Sequence, residues 1–124
     1  MIKVIFLISV LLFIPSISSA GIGDVYYCEA LKENAIINNK LKTYKNSKFK
    51  FKRYKKKIVL NGGAFGKGFE MDVNFDNGKE YFAGVYEESI SIFLYEDNTF
   101  IYTGLSSSDA YIINNLYANC SIFK

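Results

Sequence analysis

From residue 25 onward the apolar positions tend to recur every second residue, and no stretch sustains the longer period of a helix. The cleanest case is residues 48–52, where Phe49 and Phe51 alternate with Lys48, Lys50 and Lys52, making one strand face apolar and the other charged. A turn near Tyr54 to Lys56 leads into Ile58, Val59 and Leu60. Phe69, Met71, Val73 and Phe75 share the next face, opposite Glu70, Asp72 and Asn74. Asp76-Asn77-Gly78-Lys79 predicts a hairpin, because Asn-Gly accepts positive φ without strain. A strand from Glu80 to Tyr86 follows, then an exposed corner at Glu87 and Glu88. Beyond the corner both faces are apolar, Ile90, Ile92 and Leu94 against Ser91, Phe93 and Tyr95, which predicts a central strand or one covered on both sides. Glu96-Asp97-Asn98 turns into a strand from Thr99 to Gly104, a polar loop spans Ser106 to Asp109, and a last strand lies near Leu116 to Phe123.

The opening strand places Tyr26, Cys28 and Ala30 on one face, and the last places Cys120 level with Leu116, Ala118 and Ile122. Residues 29–38 read either as one helical turn or as continued strand, and strand with a turn at Asn38 and Asn39 is the reading adopted. The expected fold is therefore all-β: a single small antiparallel meander closing as a barrel or a sandwich. Ten tyrosines and eleven phenylalanines suit the half-buried surface of a sheet. No proline, linker or low-complexity break divides residues 21–124, so they form one domain.

The N-terminus has a different pattern. Lys3 precedes an almost unbroken apolar run from Val4 to Ile14, followed by Pro15 and a small-residue stretch to Ala20. This predicts a cleavable signal peptide over residues 1–20 and a periplasmic or secreted protein of bacterial origin. The run is well short of the ~20 residues that span a bilayer, so no transmembrane span is expected after cleavage. In an oxidising compartment the two cysteines, Cys28 and Cys120, have only each other as partner, and both sit on apolar faces. A disulfide inside the core, joining first strand to last, is the expectation.

Charge changes the picture through its distribution, since the net value is only +3. From Lys40 to Lys57 there are ten basic residues and no acid, whereas Glu70 to Asp109 holds nine acids against Lys79. Such segregation marks either an anion-binding patch or two halves that neutralise each other across the sheet, and the latter is favoured. The candidate anion-binding residues are Lys48, Lys50, Lys52, Arg53, Lys55, Lys56 and Lys57, whose mixture with aromatics resembles that of polyanion and single-strand binders. Alternation sends Phe49 and Phe51 to the core, which removes them as stacking platforms.

No catalytic set stands out. The chain has no histidine, which excludes histidine bases, triads and histidine-held metals, and no metal or cofactor is expected. Residues 61–68, NGGAFGKG, depart from a phosphate-binding loop in spacing and lack the following Ser or Thr, so they read as a wide, flexible loop and no nucleotide cofactor is expected. Glu70, Asp72, Glu80, Glu87 and Glu88 are close in sequence, but Glu70 and Asp72 face away from the apolar side, where a carboxyl could act as an acid.

Val25-Tyr26-Tyr27-Cys28-Glu29, Tyr44-Lys45-Asn46 with Lys48-Phe49-Lys50-Phe51-Lys52, and Asn119-Cys120-Ser121 resemble a family of short exported proteins from AT-rich marine bacteria. That resemblance implies no activity. A looser likeness, carried by Tyr26 and Cys28 and by the late Cys120, is to periplasmic barrels that inhibit C-type lysozymes, although their Ser-Gly-x-x-Tyr loop is missing. The expected function is a non-enzymatic binding or inhibitor module in the periplasm or at the cell surface, with an envelope protein or anionic polymer as partner. The alternative is binding to an anionic polymer or membrane surface through residues 48–57, and a carboxylate hydrolase stands third.

Overall fold

The computed structural model describes residues 22–106 and 112–123; the expected leader and the loop from residue 107 lie outside the described residues. Nine strands follow one another: β1 (Val25–Ile37), β2 (Lys40–Thr43), β3 (Lys48–Arg53), β4 (Lys57–Asn61), β5 (Phe69–Asp76), β6 (Glu80–Val85), β7 (Ser89–Leu94), β8 (Thr99–Ser106) and β9 (Ile112–Phe123). All pairings are antiparallel, β3 to β9 pair in sequence order, and β9 returns to β1. Of the two expected architectures the chain adopts the closed barrel, built from β1 and β3 to β9. Closure removes the free edges that a small sandwich would leave open.

The length of β1 organises this closure. One edge pairs with β3 through Val25–Glu29 and with β2 through Asn34–Ile37, while the other edge pairs with β9 almost throughout. Asn38 and Asn39 take positive φ of 49° and 67° and make the two-residue turn into β2, so residues 29–37 are strand. Cys28 lies directly opposite Cys120 in the β1–β9 register, and the two form a disulfide. Cys28 is buried and Cys120 packs against the core. First and last strands are thus joined from within.

Aromatic rings fill the interior. Tyr26 stacks on Phe51 at 4.8 Å between ring centroids and meets Phe93 edge-on at 4.8 Å, while Tyr81 stacks on Phe93 at 5.3 Å. Each such ring removes a large apolar area from water, and edge and stacked contacts add to that burial. Ile58, Leu60, Met71 and Phe100 complete the core.

Two local expectations are corrected and one is narrowed. Phe75 does not share the inner face with Met71 and Val73, because a bulge at Asn74 shifts the β5–β6 register. One extra residue reverses the alternation, so Phe75 turns outward beside Phe82 and Asp76 turns in opposite Tyr81. Second, of the two readings of β7 the central strand holds, since it pairs with β6 and β8 on its two edges, but it is covered on one face only: Ser91 and Phe93 are buried, whereas Ile90 is 52% exposed, because the barrel wall has no second layer outside it. Third, the glycine-rich segment is a tied structure. Gly63–Phe65 form a 3-10 turn closed by a hydrogen bond from Gly62 N–H to the Gly66 carbonyl at 2.6 Å, and Phe65 plugs the barrel against Phe49, Phe100 and Tyr102. Gly62 is required there, with φ at 92° and the Lys48 carbonyl 3.3 Å from where a Cβ would stand.

Candidate functional site

The β3 alternation builds the cationic surface. Phe49 and Phe51 point into the barrel, so Lys48, Lys50 and Lys52 project from its outer wall at spacings of about 6.7 Å. Their cross-strand neighbours define a grid: Lys52 between Val25 and Val59, Lys50 between Tyr27 and Asn61, and Lys48 beside Glu29. On the far side of β1 the same rows continue to Phe123, Ser121 and Asn119. Tyr27, 49% exposed, and Phe123, 65% exposed, meet edge to face at 5.9 Å. Tyr54 lies under two ammonium groups, those of Lys52 at 5.2 Å and Lys57 at 5.7 Å.

Arg53 is not on this surface. The alternation that buries Phe49 and Phe51 also turns Arg53 inward, where it is only 3% exposed. Its Nη2 donates to Asp76 Oδ2 at 3.0 Å, and Nη1 donates to the carbonyls of Tyr54 and Lys55. The guanidinium covers the Tyr81 ring at 5.1 Å, and Tyr95 donates its hydroxyl to the same Asp76 oxygen at 2.6 Å. Burial alone would push the Asp76 carboxyl up, but bonds from Tyr95, the Gly78 N–H and Arg53 together hold it below the usual carboxylate range. Burial, helped by Asp24, pushes the Tyr26 hydroxyl up to about 12, and burial also raises Tyr81 and Tyr95. This cluster closes one end of the barrel. Sequence reasoning missed it because the inward turn of Asp76 depends on the Asn74 bulge.

The remaining basic residues are mostly unneutralised. Only Lys57, whose Nζ lies 2.7 Å from Glu70, and Arg53 meet a carboxylate at ion-pair distance, so the other eight of the ten have no such partner among the described residues. The Glu70 contact raises the Lys57 pKa through its hydrogen bond. Topology accounts for most of the free lysines: β3 neighbours β4, which carries no acid, and β1, whose Glu29 stands opposite Lys48 alone, while the densely acidic segments begin at β5. Lys55 and Lys56 are exposed in the β3–β4 turn and extend the row.

The carboxylates considered for hydrolysis are differently placed. Glu70 and Asp72 stand exposed on the outer wall, and Glu87 and Glu88 occupy the exposed β6–β7 corner, where Glu87 takes a φ of 61°. An exposed carboxylate beside an ammonium is not the sheltered acid that glycoside cleavage uses. Strands β7, β8 and β9 carry no charged residue at all, which makes the wall away from β3 neutral.

Two shallow recesses flank Tyr27. One, of about 270 Å³, lies between Tyr27, Lys48, Lys50, Asn61 and Gly62. The other, of about 520 Å³, is edged by Tyr27, Glu29, Lys48, Asp97 and Asn119. Among the described residues no group of three or more side chains could hold a metal ion, and no helix is long and apolar enough to cross a membrane.

The fold and this surface define a disulfide-closed antiparallel barrel with a filled interior and a cationic outer face. In comparisons with protein-family models, curated proteins and solved structures, the chain matches none.

Proposed function

We propose that this chain is a non-enzymatic binding module, exported to the periplasm or cell surface, that holds an anionic polymer on the outer face of β1, β3 and β4. The observation that carries the reading is the row Lys48, Lys50 and Lys52, evenly spaced on one wall without acidic partners at ion-pair distance. Unpaired lysines in a row raise the local concentration of a polyanion and release its counterions on contact. The filled interior supports an external site, since rings occupy the space where an eight-stranded barrel could hold a small ligand.

Polyphosphate binding by the purified protein tests this at a series of salt concentrations. Affinity is expected to fall steeply with salt, and Lys48→Gln/Lys50→Gln/Lys52→Gln is expected to weaken it at least tenfold and flatten the log–log slope by about 2. Salt-independent or absent binding, or a triple variant as tight as the parent, would overturn the reading. These positions are exposed, so each change should alter stability by no more than ~0.5 kcal/mol.

A second reading is favoured by the charge-free outer wall of β7, β8 and β9: an envelope protein docked there, as an inhibitor module would require. It predicts capture of one envelope protein by a salt-insensitive contact that Ile90→Lys abolishes. Capture that survives Ile90→Lys would end it.

A further inference from the structure

The cationic row alone would suit any polyanion, but its surroundings are more selective. Tyr27 comes from β1 and is brought beside Lys50 only by the strand pairing, so the row has an exposed aromatic ring at its centre. The larger recess beside Tyr27, which Lys48 edges on one side, also carries acceptors: the carboxylates of Glu29 and Asp97 and the side-chain amide oxygen of Asn119. Carboxylates at that spot repel a ligand that is anionic throughout. They suit one whose charge runs along a backbone while neutral, donor-bearing rings project to the side.

We propose that this face takes single-stranded nucleic acid, its phosphates along Lys48, Lys50 and Lys52 and one base stacked on Tyr27 and seated in the recess beside Glu29 and Asn119. The inference rests on the polyanion reading above and names its ligand class. The spacing agrees: the lysines stand about 6.7 Å apart, roughly twice the ~3.4 Å rise per phosphate of a duplex strand, as a chain with splayed bases requires. Lysine binds phosphate as a point charge, without the forked geometry that a planar carboxylate rewards. Base–tyrosine stacking is sequence-tolerant, and carboxylate and amide acceptors add a preference for bases with an amino donor, such as cytosine. Phe123, edge-on to Tyr27, braces the ring, and Tyr54 offers a second ring about two lysines further along.

Fluorescence anisotropy with a labelled cytidine dodecamer, compared with polyphosphate of equal charge at the same salt, tests the proposal. The dodecamer is expected to bind more tightly than polyphosphate. Tyr27→Ala is expected to weaken the dodecamer at least fivefold and leave polyphosphate unchanged, while Tyr27→Phe keeps the parent affinity for both. Equal binding of both ligands with no effect of Tyr27→Ala would overturn the nucleic-acid assignment and leave the polyanion reading standing. Tighter binding of an acidic glycan than of the dodecamer would overturn it in favour of sugar stacking. Failure of both ligands to bind would remove the polyanion reading itself. Near-unchanged thermal unfolding of Tyr27→Ala, on a half-exposed outer position, separates lost stacking from lost folding.

Discussion

Asp76 shows how much one inward-turned side chain does. It balances the charge of Arg53, receives the Tyr95 hydroxyl and caps the β5–β6 turn through the Gly78 N–H at 2.9 Å. Its carboxyl is held below the ordinary value of 3.8, so its ionised form stabilises the fold at neutral pH, and that contribution is lost as pH falls from about 3.8 through the lower folded value. Tyr26 has the opposite sense: its folded value near 12 exceeds the ordinary 10, so stability is complete below pH 10 and is lost as pH rises toward 12. Urea unfolding across pH should therefore show a plateau with both an acid and an alkaline limb. Asp76→Asn should flatten the acid limb and cost about 2 kcal/mol at pH 7, below the range for a fully buried pair because Asp76 is partly exposed and Arg53 keeps two carbonyl acceptors. An unaltered acid limb in that variant would rule out the assigned role.

At the scale of elements, the bulge in β5 and the glycine-rich turn both give the barrel a closed end. The bulge converts Asp76 from an outward turn residue into an inward one, and the alternation of Phe69, Met71 and Val73 cannot foretell it because a strand read alone has no partner against which to slip. The turn at Gly63–Phe65 inserts Phe65 among Phe49, Phe100 and Tyr102. Truncation by Phe65→Ala should cost about 3 kcal/mol, at the low end for a core phenylalanine because the ring sits at the barrel mouth. The urea midpoint should fall with no change in slope, and a loss under ~1 kcal/mol would mean that the turn is a surface loop.

The whole molecule depends on its closing seam. β1 and β9 are nearly the first and last segments of the domain, and their pairing carries the disulfide between cysteines 92 positions apart in sequence. Cross-linking so long a loop restricts the unfolded chain by about 4–5 kcal/mol on the chain-entropy view. Cys28→Ser/Cys120→Ser should lower stability by most of that amount while the seam hydrogen bonds still close the barrel. Circular dichroism would report retained sheet with a depressed melting temperature. A melting temperature equal to the parent's would show that the seam needs no cross-link.

Alternation, turn chemistry and a single cysteine pair by themselves determined much of this protein. They foretold an all-β meander, the Asn77-Gly78 hairpin, the outward lysines of β3 and a core disulfide joining first strand to last. These features follow from local rules, since side-chain period and turn residues act within a few positions. Only the tertiary structure decided that the sheet closes as a barrel, that Arg53 leaves the lysine row for Asp76, and that Tyr27 joins it. Each of these depends on which strand lies beside which and in what register, and that is set by packing between segments distant in sequence.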